Sequence, residues 1–79
     1  MATRISINCN NSKEKSVVFM PNGGREDDVM VFVLEGGEFW FALQNNYRSL
    51  KNAKRAAVKK MEKMGYTFDE KEMENLNWK

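Results

Sequence analysis

The stretch Val29-Met30-Val31-Phe32-Val33-Leu34-Glu35-Gly36-Gly37-Glu38-Phe39-Trp40-Phe41-Ala42-Leu43 sets two apolar runs on either side of a glycine pair. β-Branched and aromatic side chains suit a pleated, half-buried backbone, and two glycines accept the positive φ angles of a two-residue primed turn. The stretch therefore predicts an antiparallel hairpin. An unbroken register sets Leu34 opposite Phe39, Val33 opposite Trp40, Phe32 opposite Phe41, Val31 opposite Ala42 and Met30 opposite Leu43. Met30, Phe32, Leu34, Phe39 and Phe41 then share one face, and Val29, Val31, Val33, Trp40 and Ala42 the other. Both faces are apolar, and one helix covers only one of them. The second face calls for the C-terminal Met73, Leu76 and Trp78, a second copy of the chain, or another macromolecule.

Upstream, Arg4-Ile5-Ser6-Ile7-Asn8 alternates apolar with polar as a half-buried strand does, and Asn10-Asn11-Ser12 reads as a polar turn. Ser16-Val17-Val18-Phe19-Met20 predicts a second strand, stopped by Pro21-Asn22-Gly23-Gly24. Glu26-Asp27-Asp28 reads as an exposed loop extension. Downstream of Gln44-Asn45-Asn46, Ser49 can cap a helix in which Leu50, Ala53, Ala57, Met61 and Met64 recur at spacings of three and four, with Gly65 as its stop. Lys51, Arg55, Lys59 and Lys63 centre on the opposite side of that helix. Asp69 with Glu72 resembles a capping box for a second, short helix carrying Met73 and Leu76. The predicted fold is α+β: a four-stranded, mainly antiparallel sheet, with the amphipathic helix from about Ser49 to Met64 packed on one face and a short C-terminal helix nearby.

A chain of 79 residues, 42% hydrophobic and 30% charged, fits one small domain spanning 1–79. No apolar run approaches the roughly 20 residues that span a bilayer. The N-terminus, Met1-Ala2-Thr3-Arg4-Ile5-Ser6-Ile7-Asn8, alternates instead of forming a signal-peptide core, so a cytoplasmic protein is expected. The net charge of +2 conceals a segregation: residues 1–48 carry five basic and six acidic side chains, residues 49–65 six and one, residues 66–79 two and four. The positive charge is concentrated in the predicted helix.

Catalysis is hard to build from this inventory. The chain has no histidine, the usual general base near neutral pH, and its one cysteine, Cys9, has no histidine to activate it. Asp27 with Asp28, or Glu35 with Glu38 across the hairpin turn, are the carboxylate pairs that a cation or acid–base step would need, but acidic residues in exposed turns ordinarily serve solvation. The expectation is a non-enzymatic protein with no cofactor and no metal.

The order of strands and helix carries two resemblances. Gly37-Glu38-Phe39-Trp40-Phe41-Ala42-Leu43, followed by Tyr47-Arg48-Ser49 and the alanine-bearing helix, resembles one repeat of the small bacterial sheet-plus-helix family that includes the YegP-type proteins. Strands followed by one helix are also similar to integrase arm-binding and AP2-like DNA-binding domains, whose sheet enters the groove. Here the hairpin carries two glutamates and no arginine, a departure from that mode. In size, lysine content and lack of catalytic groups the chain is similar in type to phage and mobile-element accessory proteins that bind and block a host protein.

Two classes of function follow. In the first, a small inhibitor or adaptor binds a larger protein partner through the apolar sheet, with Trp40 and the rim charges Glu35, Glu38, Asp27 and Asp28; a homodimer belongs to the same logic. In the second, a nucleic-acid-binding module uses the basic run Arg48, Lys51, Lys54, Arg55, Lys59 and Lys63, with Lys60 beside it. A membrane-surface role is not expected, because the apolar stripe of the helix is needed to cover the hairpin.

Overall fold

In a computed structural model describing residues 4–78, the chain forms β1 (Ile5–Cys9), β2 (Ser12–Asn22), β3 (Arg25–Glu35), β4 (Glu38–Ala42), α1 (Leu50–Lys63) and α2 (Glu70–Asn75). The first three positions, part of the N-terminal alternation described above, lie outside the described residues. The strands make one antiparallel sheet in the order β1-β2-β3-β4. Together with the long helix and the short C-terminal one, this is the predicted α+β arrangement.

The hairpin forms at the predicted turn. Gly36 and Gly37 take φ values of 60° and 84°, and Glu35 pairs with Glu38 and Leu34 with Phe39 across them. Beyond that point the unbroken register fails: Val33 faces Phe41 and Phe32 faces Ala42, so Trp40 is an extra residue in a β-bulge. The bulge breaks the alternation of side chains. The rings of Trp40 and Phe41, neighbours that would point to opposite faces in a regular strand, meet edge to face at 4.9 Å. Phe41 therefore crosses to the face of Val33, and Ala42 joins the row of Phe32.

The acidic stretch 26–28 also departs from its predicted state. β2 runs on to Asn22 and β3 begins at Arg25, so Glu26, Asp27 and Asp28 lie within a strand rather than in a loop extension. The pairing jumps from Asn22↔Arg25 to Pro21↔Val29, which leaves the three acidic residues unpaired in the ladder. Pro21 at this irregularity costs the sheet little, because a proline has no N–H to donate.

One face of the sheet carries the core. Ile7, Cys9, Val17, Phe19, Val29, Val31 and Val33 are buried against Leu50, Ala53, Ala57 and Met61 of α1 and Met73 of α2. Ala53 and Ala57 are fully buried, and their small side chains let the helix lie close on the strands. Met64, placed in the apolar stripe by its spacing, is instead 37% exposed, because the helix has already ended: Tyr66 N–H donates to the Met61 carbonyl and Gly65 N–H to that of Glu62, a Schellman closure turning on Gly65 at φ 95°. At the other end Ser49 Oγ accepts from Asn52 N–H at 3.1 Å, and Asp69 Oδ1 caps α2 by accepting from Glu72 N–H at 2.9 Å.

Two long-range clamps close the structure. Val29 and Tyr47 exchange backbone hydrogen bonds of 2.7 and 2.9 Å, which brings the chain from the end of β4 back to the sheet before α1 starts. The β1–β2 turn holds the connector after α1: Asn10 N–H donates to the Thr67 carbonyl, Thr67 N–H donates to Asn11 Oδ1, and Asn11 Nδ2 donates to the Gly65 carbonyl. The polar turn at Asn10-Asn11 thus sets where the C-terminal segment begins.

Candidate functional site

The C-terminal segment does not cover the second face of the sheet. Met73 belongs to the helix-side core, and Leu76 and Trp78 pack against that same core, as do Tyr66 and Phe68. On the opposite face, the paired rows Ser6–Val18–Phe32–Ala42, Asn8–Ser16–Leu34–Phe39 and Met20–Met30 run across the strands. Met20, Met30, Phe32, Leu34 and Phe39 make its apolar surface around the buried Val18, and none of these side chains belongs to the helix-side core. Phe39 is 63% exposed and meets Phe32 edge to face at 6.1 Å. This bare apolar surface borders the polar Ser6, Asn8 and Ser16.

Trp40 has a different setting from the one the regular register implied. It stays on the helix side, at the rim, where the Lys15 ammonium lies 5.3 Å from its ring and 5.5 Å from that of Tyr66. Lys15 Nζ donates to Glu35 Oε2 at 3.0 Å. The hydrogen bond to Glu35 is the main reason the lysine pKa sits above the ordinary 10.5, working against its burial. Lys15 is thus a cation held between two aromatic faces and a carboxylate. Its contribution to stability is whole below the ordinary lysine pKa and is lost as pH rises through the raised native value. The urea midpoint is therefore expected to fall more steeply above pH 10.5 in the wild type than in Lys15→Met, whose alkaline limb is flatter. Parallel alkaline limbs in the two proteins would show that Lys15 carries none of this dependence.

The acidic candidates are already engaged. Glu35 holds Lys15, Asp27 pairs with Arg25 at 3.3 Å, and Asp28 accepts from Asn22 Nδ2 at 2.9 Å and Asn46 Nδ2 at 2.7 Å. The Arg25 guanidinium holds the Asp27 carboxyl below its ordinary range, with Arg48 adding a smaller pull. Glu38 is exposed beside the turn. Among the described residues no three histidine, cysteine, aspartate or glutamate side chains converge on a point that could hold a metal. Cys9 is buried, and that burial raises its thiol pKa against the opposing pull of Lys15.

The basic residues of α1 divide between its two flanks. Lys51, Lys54 and Arg55 border a groove of about 750 Å³ between α1 and the C-terminal segment, with Val58, Phe68, Met73 and Leu76 among its apolar lining. Glu62, Glu70 and Glu74 line the same groove, and Lys54 Nζ donates to the Glu74 carbonyl at 3.4 Å. Burial lowers the Lys54 pKa. On the other flank, Lys59, Lys60 and Lys63 line a groove of about 560 Å³ against Phe41, Leu43, Gln44 and Tyr47, with no acidic residue in its lining. Arg48 is exposed just before the helix. Lys54, Arg55 and Lys59 also border a shallower depression with Val58, Glu62 and Met73, so the candidate nucleic-acid contacts run from one groove to the other along α1. Phe41 and Tyr47, not among the nucleic-acid contacts read from the sequence, join Lys59, Lys60 and Lys63; the bulge at Trp40 that turns Phe41 inward has no local signature.

Among the described residues no helix is long and apolar enough to cross a membrane. Comparison with protein-family models, curated proteins and solved structures finds no match to this chain, so the likenesses drawn from the hairpin and helix rest on those residues alone.

Proposed function

We propose that the protein is a small non-enzymatic binding protein that seats the bare face of its sheet on a larger protein partner and so occupies that partner's surface. The observation that carries this reading is the apolar surface of Phe32, Leu34 and Phe39 around the buried Val18, left without a helix over it while α1, Met73, Leu76 and Trp78 pack on the other side. Buried aromatic anchors ringed by polar groups are the usual energetic centre of a protein interface. Phe39 and Phe32 supply the anchors, and Ser6, Asn8 and Ser16 supply part of the rim. A small inhibitor or adaptor of the mobile-element type has this economy: one face folds the domain and the other binds.

The test compares affinity purification with the wild type and with a Phe32→Ser/Phe39→Asp variant, alongside sedimentation of the purified protein. The expected result is a protein retained in stoichiometric amount by the wild type and lost by the variant, with the wild type monomeric. Retention unchanged by the variant, or a wild-type dimer that the variant dissociates, would overturn the reading.

A further inference from the structure

We propose that the groove between β4 and α1 is a binding site for single-stranded nucleic acid, separate from the sheet face. Its cations come from Lys59, Lys60 and Lys63, which converge on one flank because positions 59 and 63 are one turn apart and 60 lies between them and the sheet. Among the described residues the ion pairs are Lys15–Glu35 and Arg25–Asp27, so these three ammonium groups are unpaired. Two of them, Lys60 and Lys63, stand in the last turn of α1, where they also complement the helix dipole. That role alone does not account for a groove free of acidic side chains when its counterpart on the other flank sets three glutamates against its basic residues.

The aromatic floor selects among polyanions. Phe41 and Tyr47 line the groove, half-buried, and the Lys60 ammonium lies 5.8 Å from the Phe41 ring. A single strand offers unstacked bases to such rings and phosphates to the lysines around them, the combination that sequence-tolerant single-strand binders use. In a duplex the bases are stacked on one another and cannot reach the floor. Gln44 in the same lining adds a donor and an acceptor for a base edge or sugar.

The experiment is fluorescence anisotropy of a labelled mixed-sequence single strand, as DNA and as RNA, and of the matching duplex, at about 50 and 200 mM salt. Three phosphate contacts on a single strand give a logarithmic salt slope near −2, so affinity is expected to fall about 20-fold between the two salts. Lys59→Glu/Lys60→Glu/Lys63→Glu is expected to abolish binding. Arg4→Glu/Lys13→Glu/Lys71→Glu makes the same change in net charge on exposed positions outside the groove and is expected to leave affinity within about threefold. Phe41→Leu, which keeps an apolar group but removes the stacking face, is expected to weaken binding about tenfold. Circular dichroism and the slow alkylation of buried Cys9 report whether each variant is folded; if the glutamate triple is not, the glutamine triple is expected to flatten the salt slope. Absence of binding at the lower salt, equal loss in the two charge-reversed triples, or tighter binding of the duplex would each overturn the proposal. None of these outcomes depends on the sheet face.

Discussion

Replacing Phe19 with alanine is expected to lower the free energy of unfolding by about 3–5 kcal/mol. Phe19 is the largest fully buried side chain, paired with Ile5 on one neighbouring strand and Val31 on the other, beneath α1. Removing its ring forfeits the transfer of a whole aromatic group and leaves a cavity that a fully hydrogen-bonded central strand cannot close. Globular domains are stable by about 0.05–0.15 kcal/mol per residue, so the loss consumes much or all of what a chain this short has. Urea denaturation followed by tryptophan fluorescence measures it directly. The matching control is Phe39→Ala: the same atoms are removed from a ring that is 63% exposed on the bare face, and the expected cost is below about 1 kcal/mol. Similar losses at the two sites would mean that the bare face is buried in solution, by a second copy or by a different chain path.

The second large effect is expected at the hairpin turn. Gly36→Ala/Gly37→Ala puts side chains on two residues at φ 60° and 84°, where each left-handed L-residue costs about 1–2 kcal/mol, or about 2–4 kcal/mol for the pair. Open space surrounds both positions, so the penalty is conformational rather than steric crowding by neighbours. Gly36→Asn, which keeps the turn chemistry, is expected to cost well under half as much. Thermal or urea midpoints distinguish the two. Equal midpoints for the double alanine variant and the wild type would show that β3 and β4 hold their register without the turn, through the bulge and the contacts beyond it.

The parts of this fold that were legible beforehand are the ones governed by neighbours in the chain. Ser49, the three-and-four spacing of Leu50, Ala53, Ala57 and Met61, and Gly65 mark α1 from within a single stretch, and Asp69 with Glu72 does the same for α2. Gly36-Gly37 marks the hairpin turn for the same reason. The bulge at Trp40 is another matter, because its partners come from elsewhere: Lys15 from β2 lies over the Trp40 ring with Tyr66, from beyond α1, near the same ammonium, and Lys60 from α1 sits by Phe41. A two-residue turn alone predicts continuous pairing. The position of the C-terminal segment was equally illegible, since it depends on Asn11 reaching Gly65 and Thr67 across more than fifty residues of chain.

The candidate surfaces follow the same division. The apolar character of both hairpin faces was readable from alternation, but which face stays bare depends on where Met73, Leu76 and Trp78 dock. The basic run was readable as a helix exterior, whereas its separation into a glutamate-bordered groove and an acid-free one depends on what lies beside each flank. Charge counted along the helix could not distinguish the two.

The order β1-β2-β3-β4 also bears on how quickly the molecule assembles. Every strand pairs with its neighbour in the chain, so each hairpin closes over a short loop and no early step has to bring distant segments together at a large entropic cost. The sheet can grow by successive addition from the β2–β3 pair, the longest in the structure, with α1 docking on a surface already formed. Such a chain exposes the apolar residues of both faces only briefly before one of them is sealed. For a protein that keeps the other face open to bind, rapid sequential folding limits the time in which two partly folded copies can find each other and aggregate.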